Sequence, residues 1–160
     1  MMSQVYERAE SRRMPRPRPD EVVLERERPR GRSGMVLRTL GALCILVVGA
    51  VHLEQYFAVH FDVVPIIGPL FVLNFAGATL IGLGLLLPFA RRLRMLLALG
   101  GIGLAATSFV FLFVSEHQPL FGFQDYGYRP SILIALAAEA AAVALLGAYL
   151  VLRVRGSRHV

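Results

Sequence analysis

The sequence predicts an all-α fold: a four-transmembrane-helix bundle with both termini in the cytoplasm and a disordered basic N-terminal tail. Three observations lead to it. Of the 160 residues, 56% are hydrophobic and 18% charged, whereas a soluble domain is roughly 45 to 50% apolar with glycine counted in and about 25% charged. The apolar residues gather into four runs, each long enough to cross a bilayer. All 17 basic residues are arginine, and ten of them fall within the first 38 positions. Such a composition excludes an ordinary water-soluble enzyme. The single cysteine, Cys44, excludes an internal disulfide framework, a four-cysteine metal site and a dithiol redox motif.

Residues 1–34 form the first segment. Pro15, Pro17, Pro19 and Pro29 stand among arginines and glutamates, with one short apolar patch at Val22 to Leu24. A segment of this kind buries too little surface to order itself and is expected to be a disordered cytoplasmic tail. Ten arginines against six acids in residues 1–38 make it a partner for anionic lipid, at about 1 kcal/mol per basic residue near the surface. Docking of Arg16 to Pro19 on an acidic protein is the weaker alternative, and nucleic acid is not expected as a partner.

The membrane domain is read as residues 35–152, with spans at about 36–56, 66–90, 95–114 and 131–152. A hydrocarbon core of about 30 Å needs about 20 helical residues at 1.5 Å each. Barrel strands would alternate over about ten residues, whereas these runs are continuously apolar. Pro65 and Pro69 suit the start of the second helix, because a first-turn proline sacrifices no needed N–H. Residues 153–160 form a short cytoplasmic tail.

Orientation follows from the arginines, which are retained on the cytoplasmic side. Ten lie in the N-terminal segment up to Arg38, Arg91, Arg92 and Arg94 fall in the middle loop, and Arg153, Arg155 and Arg158 follow the last span. The other two loops share only Arg129. A multi-pass protein of the plasma membrane with both ends inside satisfies every connection. Cleavage of a signal peptide after Val48-Gly49-Ala50 is the alternative, but the basic region ahead of it is far too long.

Small residues allow close helix approach where lipid provides no hydrophobic drive. They recur at Ala76-Gly77-Ala78, Gly82 and Gly84, at Gly100-Gly101, Gly103 and Ala105-Ala106, and from Ala135 to Ala144. The same stripes would serve a homo-oligomer or a contact with other membrane subunits.

Counting helical rise puts Asn74, Thr107, Ser108 and Glu139 in one intramembrane layer, about 12 Å below the outer ends of the helices at 1.5 Å per residue. An acid at a helix centre costs about 2.5 to 3.5 kcal/mol on insertion scales, so Glu139 is expected to face the other helices. It is either a proton-titratable site or a clamp between helices. The outer face carries His52, Glu54, Tyr56, His60, Asp62, Glu116, His117 and Asp125. If the first helix persists, His52, Tyr56 and His60 share one face. These are residue types that ligate zinc or copper, and His52 is a conceivable haem ligand. They also suit an aromatic belt at the interface. No fixed-spacing metal, nucleophile or phosphate-loop motif is present, so no cofactor and no catalytic residue is assigned.

The stretch His52-Leu53-Glu54-Gln55-Tyr56, followed by Pro65-Ile66-Ile67-Gly68-Pro69-Leu70-Phe71-Val72-Leu73-Asn74, resembles a pattern in small uncharacterised four-helix integral membrane proteins of high-GC Gram-positive bacteria. The resemblance implies a plasma-membrane location and carries over no activity. The expectation is a non-enzymatic accessory or assembly subunit of a cell-envelope membrane complex. The alternatives are a small proton-coupled transporter using Glu139 and a metal- or haem-binding redox protein using His52.

Overall fold

A computed structural model describes residues 19–122, 124 and 127–156 of the chain. Four α-helices account for nearly all of them, with no strand among the described residues: α1 (Pro19–Ala58), α2 (Ile67–Leu86), α3 (Arg91–His117) and α4 (Pro130–Gly156). Each contains a stretch long and apolar enough to cross a membrane, that of α1 being Arg32–Ala58. Large apolar side chains such as Leu73, Leu80, Leu96, Leu99 and Ile134 are more than half exposed on the outside. In water such a surface would aggregate, and against lipid tails it is the expected exterior. This is a membrane protein by length and composition of its helices.

Residues 1–32 and 33–160 are separate compact units. Helix α1 begins at Pro19, so residues 19–34, expected to be disordered, are helical. The stretch is rich in Glu and Arg, which are good helix formers, and it opens on a proline, tolerated in a first turn. Residues 1–18, including most of the Arg16 to Pro19 motif, lie outside the described residues.

Other boundaries also differ from those read in the sequence: α3 runs on to His117 and α4 to Gly156, so residues 153–156 are helical and not tail, and three further differences bear on the argument. Helix α2 stops at Leu86 instead of residue 90, because Pro88 pushes the preceding Leu87 into extended backbone (φ −74°, ψ 155°). Helix α3 starts at Arg91, which puts Arg91, Arg92 and Arg94 on its first turn and not in a loop. Helix α1 ends at Ala58, and His60 takes a left-handed conformation (φ 60°), so His60 leaves the face it was expected to share with His52 and Tyr56.

A short 3-10 turn, Phe61–Val63, leads into α2. Ile66 has φ 68° and ψ −51°, and the Ile67 N–H donates to the Pro65 carbonyl at 2.8 Å. That is a γ-turn of the rare, strained kind, unusual for a β-branched residue. Gly68 completes the turn by necessity: a Cβ there would lie 2.6 Å from the Phe61 carbonyl oxygen.

The four helices of residues 33–156 pack antiparallel in chain order, through small residues. Gly82 of α2 sits on Leu46 and the Ala42 carbonyl of α1, Gly77 of α2 meets Leu104 of α3, and Gly41 of α1 meets Leu145 and Leu146 of α4. At Gly101 of α3, side chains from all three other helices converge: Leu146, Ile81 and Ile45. Around this point lies the core of Ala42, Ile45, Leu85, Ala98, Leu146 and Tyr149, all fully buried. It fills the half of the molecule that ends in Arg38, Arg91 and Arg153, here called the arginine end.

Two alanine substitutions separate packing from helix propensity. A Cβ at Gly82 would lie 2.6 Å from Leu46 and 3.2 Å from a backbone oxygen, whereas at Gly103 it meets nothing within 4 Å. Gly82→Ala is expected to cost about 1–3 kcal/mol by overpacking, and Gly103→Ala to be neutral or to gain up to about 1 kcal/mol from propensity. Thermal unfolding of the purified protein in mild detergent checks both.

Candidate functional site

In the half opposite the arginine end, the helices part around a cavity of about 120 Å³. All four contribute to it: Val51, His52 and Gln55 from α1, Leu70, Phe71 and Asn74 from α2, Ser108, Phe111, Leu112 and Ser115 from α3, and Ile132, Ala135 and Glu139 from α4. Phe61 and Leu120 close it towards the loops.

Three of the four residues grouped by helical rise, Asn74, Ser108 and Glu139, line this cavity. Asn74 donates from Nδ2 to Ser108 Oγ at 2.5 Å, joining α2 to α3. Glu139 is 2% exposed and lines the same cavity. Thr107 does not belong to the layer, because it is exposed on the outside of α3. One residue along a helix is a rotation of about 100°, which carries Thr107 off the face that Ser108 occupies.

The carboxyl of Glu139 makes no interhelical hydrogen bond among the described residues. Its Oε2 is buried and has no hydrogen-bond partner among the described residues, and the same holds for Oδ1 of Asn74. Buried polar atoms left unpaired cost about 1–3 kcal/mol each. Two on one cavity point to a place meant for a ligand, a proton or water, since native structures carry few such atoms.

His52 adds a third polar group to the lining. Its Nδ1 lies 2.8 Å from the Val48 carbonyl. A carbonyl only accepts, so Nδ1 bears the hydrogen in this bond, and in the neutral ring Nε2 keeps its lone pair. The ring leans on Phe71 at 5.0 Å between centroids, and Phe71 stacks on Phe61 at 4.8 Å. His52 was assigned to the outer surface by sequence, yet it shares the cavity with Glu139.

Gln55 was not singled out at all, and it organises the rim. It is 4% exposed. From Nε2 it donates to Ser131 Oγ of α4 at 2.5 Å and to Glu54 Oε2 at 2.7 Å, and its Oε1 accepts from Arg129 Nη2 at 3.2 Å. Arg129 also lies 5.8 Å over the Phe61 ring. The available signal was its spacing: Gln55 follows His52 by three residues and so shares its helix face. Ser115 is buried as well and is satisfied by the Leu112 carbonyl at 2.9 Å.

The remaining outer residues do not assemble. Glu54 is exposed apart from its bond to Gln55, and half-buried Tyr56 packs edge-on to Phe57. His60 pairs only with neighbouring Asp62, at 3.7 Å. His117 bonds to the Phe113 carbonyl at 2.7 Å, and Glu116 accepts the Gly127 N–H at 3.3 Å. Asp125 lies outside the described residues. Among the described residues no three His, Cys, Asp or Glu side chains come together in a way that would hold a metal ion. Haem does not fit either, for ligand pockets begin at about 300 Å³ even for drug-sized molecules and this cavity has less than half of that.

No protein-family model, curated protein or solved structure matches the chain. The site therefore stands on its own geometry.

Gln55 ties α1 to α4 across the rim, and intramembrane hydrogen bonds average about 0.6 kcal/mol with a maximum near 1.7. Gln55→Leu, which removes two interhelical partners, is expected to lower stability by about 1–2 kcal/mol on that scale. Thermal unfolding in detergent reads the loss, and a double-mutant cycle with Ser131→Ala assigns it to the pair.

Proposed function

We propose that the chain is a non-enzymatic plasma-membrane protein: a four-helix bundle with both termini inside, working as a small proton-coupled carrier. The observation that carries this reading is the unpaired Glu139 carboxyl in a cavity shared with His52 and Asn74. A proton relay needs a second titratable or accepting group beside the acid, and His52 supplies one on the same cavity. The cavity suits a small, largely apolar solute bearing one hydrogen-bond donor or positive charge, since its unpaired polar atoms are acceptors and the rest of its wall is aromatic and aliphatic. Ile45, Leu146 and Gly101 close the route towards the arginine end, so the conformation described is open on one side at most, as alternating access requires.

Orientation is testable by labelling. In a Cys44→Ser background, a cysteine at Val63 should react in intact cells with a membrane-impermeant thiol reagent, and one at Arg92 should not. The reverse pattern would invert the topology and put the cavity on the cytoplasmic side.

Glu139→Gln keeps the shape and removes the titratable proton. In proteoliposomes under an imposed pH gradient, with a pH-sensitive dye inside, the variant should lose about a hundredfold or more of the proton flux, the lower end of what a positioned acid–base group contributes. Its thermal stability should stay within about 1 kcal/mol, since no hydrogen bond is lost. Wild-type flux in the variant would remove Glu139 from the mechanism.

A second reading, an accessory or assembly subunit of a cell-envelope complex, is favoured by a separate observation. Gly103, Ala106 and Thr107 on α3, and Ala140, Ala144 and Ala148 on α4, leave small-residue faces exposed on the outside, suited to a partner helix. Capture of the tagged chain after mild extraction should then retain a partner subunit or a second copy, and Ala144→Leu should release it. Recovery of the chain alone counts against this reading.

A further inference from the structure

The arginine end brings positive charge together from three helices. Arg94 of α3 and Arg153 of α4 both lie within electrostatic reach of Arg38 on α1. The carboxylates whose side chains are described, Glu54, Asp62, Glu116 and Glu139, all belong to the opposite half of the helices. Arg38 Nε and Nη1 and Arg94 Nε are buried donors with no hydrogen-bond partner among the described residues. Bringing guanidinium groups together, with donors out of water and unused, is costly unless an anion sits among them.

Two further features point the same way. Helix α3 starts here, at Arg91, with no side-chain cap at Ala90 and no acid in its first turn. Its positive dipole end thus adds to the arginines instead of offsetting them. Tyr149, independently, is fully buried, yet its hydroxyl has no hydrogen-bond partner among the described residues. It lies within reach of Arg38, and the Arg153 guanidinium stands 5.5 Å over its ring. The negative end of α4 does not supply the missing anion, because Arg91 already occupies it by donating to the Arg153 carbonyl at 2.8 Å.

We propose that these groups form a binding site for the phosphate of an anionic membrane lipid, held between α1, α3 and α4. Arg38, Arg94 and Arg153 supply charge-assisted donors and Tyr149 a neutral one, a set suited to the several acceptor oxygens of a phosphodiester. A lipid is the source that fits, because the flanking surface is hydrocarbon-facing: Met35, Leu93 and Leu152 are exposed beside the arginines, where acyl chains would lie. Basic pockets between membrane helices hold acidic headgroups in this manner.

The full-length protein in nanodiscs of mixed phosphatidylglycerol and phosphatidylcholine, released into native mass spectrometry, tests the site. Both leaflets carry both lipids, so the result does not depend on which way the chain crosses or on the carrier reading. The wild type should retain one phosphatidylglycerol in preference to phosphatidylcholine, undisplaced by excess inorganic phosphate. Arg38→Gln and Arg94→Gln should each weaken retention about five-fold. Tyr149→Phe, which keeps the ring and its stacking, should also weaken it, while Arg16→Gln with Arg18→Gln in the tail should leave it unchanged. Equal retention of both lipids, or retention unchanged in the Arg38 and Arg94 variants, overturns the proposal. Displacement by phosphate assigns the site to a soluble anion and overturns the lipid. Retention that appears only once Glu25 and Glu27 are changed to Gln overturns it too, by assigning the arginines to the chain's own acids.

Discussion

Hydrocarbon accepts and donates no hydrogen bonds, so within it every polar group must find its partner inside the protein, at several kcal/mol for each failure. The backbone meets that condition as four helices. Side chains meet it only in part, and the exceptions define the molecule. Asn74 finds Ser108, Gln55 finds Ser131, and Ser115 turns back on its own helix. Glu139, the second atom of Asn74, the Tyr149 hydroxyl and the inward edges of two arginines are left without protein partners among the described residues.

These exceptions fall into two groups at opposite ends, and the sign of the unpaired groups differs between them. Around the cavity the unused atoms accept hydrogen bonds or carry an acid. At the arginine end they donate and carry positive charge. Between the two lies an apolar layer in which Ile45, Leu146, Ala98 and Ala142 are fully buried. Glycine makes that layer possible. Gly82 and Gly101 let helices approach to within contact of a neighbour's side chain or carbonyl, which lipid itself would not drive.

Much of this was legible in the sequence, for reasons that also explain where legibility ended. The four helices follow from apolar run length, a property of the chain alone. Their ends depend on local chemistry that run length ignores: Pro88 cuts α2 short, and the first turn of α3 absorbs three arginines because nothing in Arg91 to Arg94 opposes a helix. Depth, counted as rise per residue, brought Asn74, Ser108 and Glu139 into one layer. Azimuth was not countable, since it depends on which helix neighbours which, and Thr107 was lost and His52 gained for that reason. Gln55 and Tyr149 drew no attention because neither is an unusual residue until its burial is known. The arginines at these helix ends read as topology signals, and only their convergence from three helices makes them a cluster.

The dry layer has an electrical consequence. A membrane potential does about 2.3 kcal/mol of work per elementary charge for each 100 mV, and it falls mainly across the stretch of lowest dielectric, where charge and water are absent. In this molecule that stretch is the short plug around Gly101, not the full span of the helices. The field there would be correspondingly steep, and in the proposed carrier a proton on Glu139 would sit closer in potential to the compartment the cavity faces than to the other.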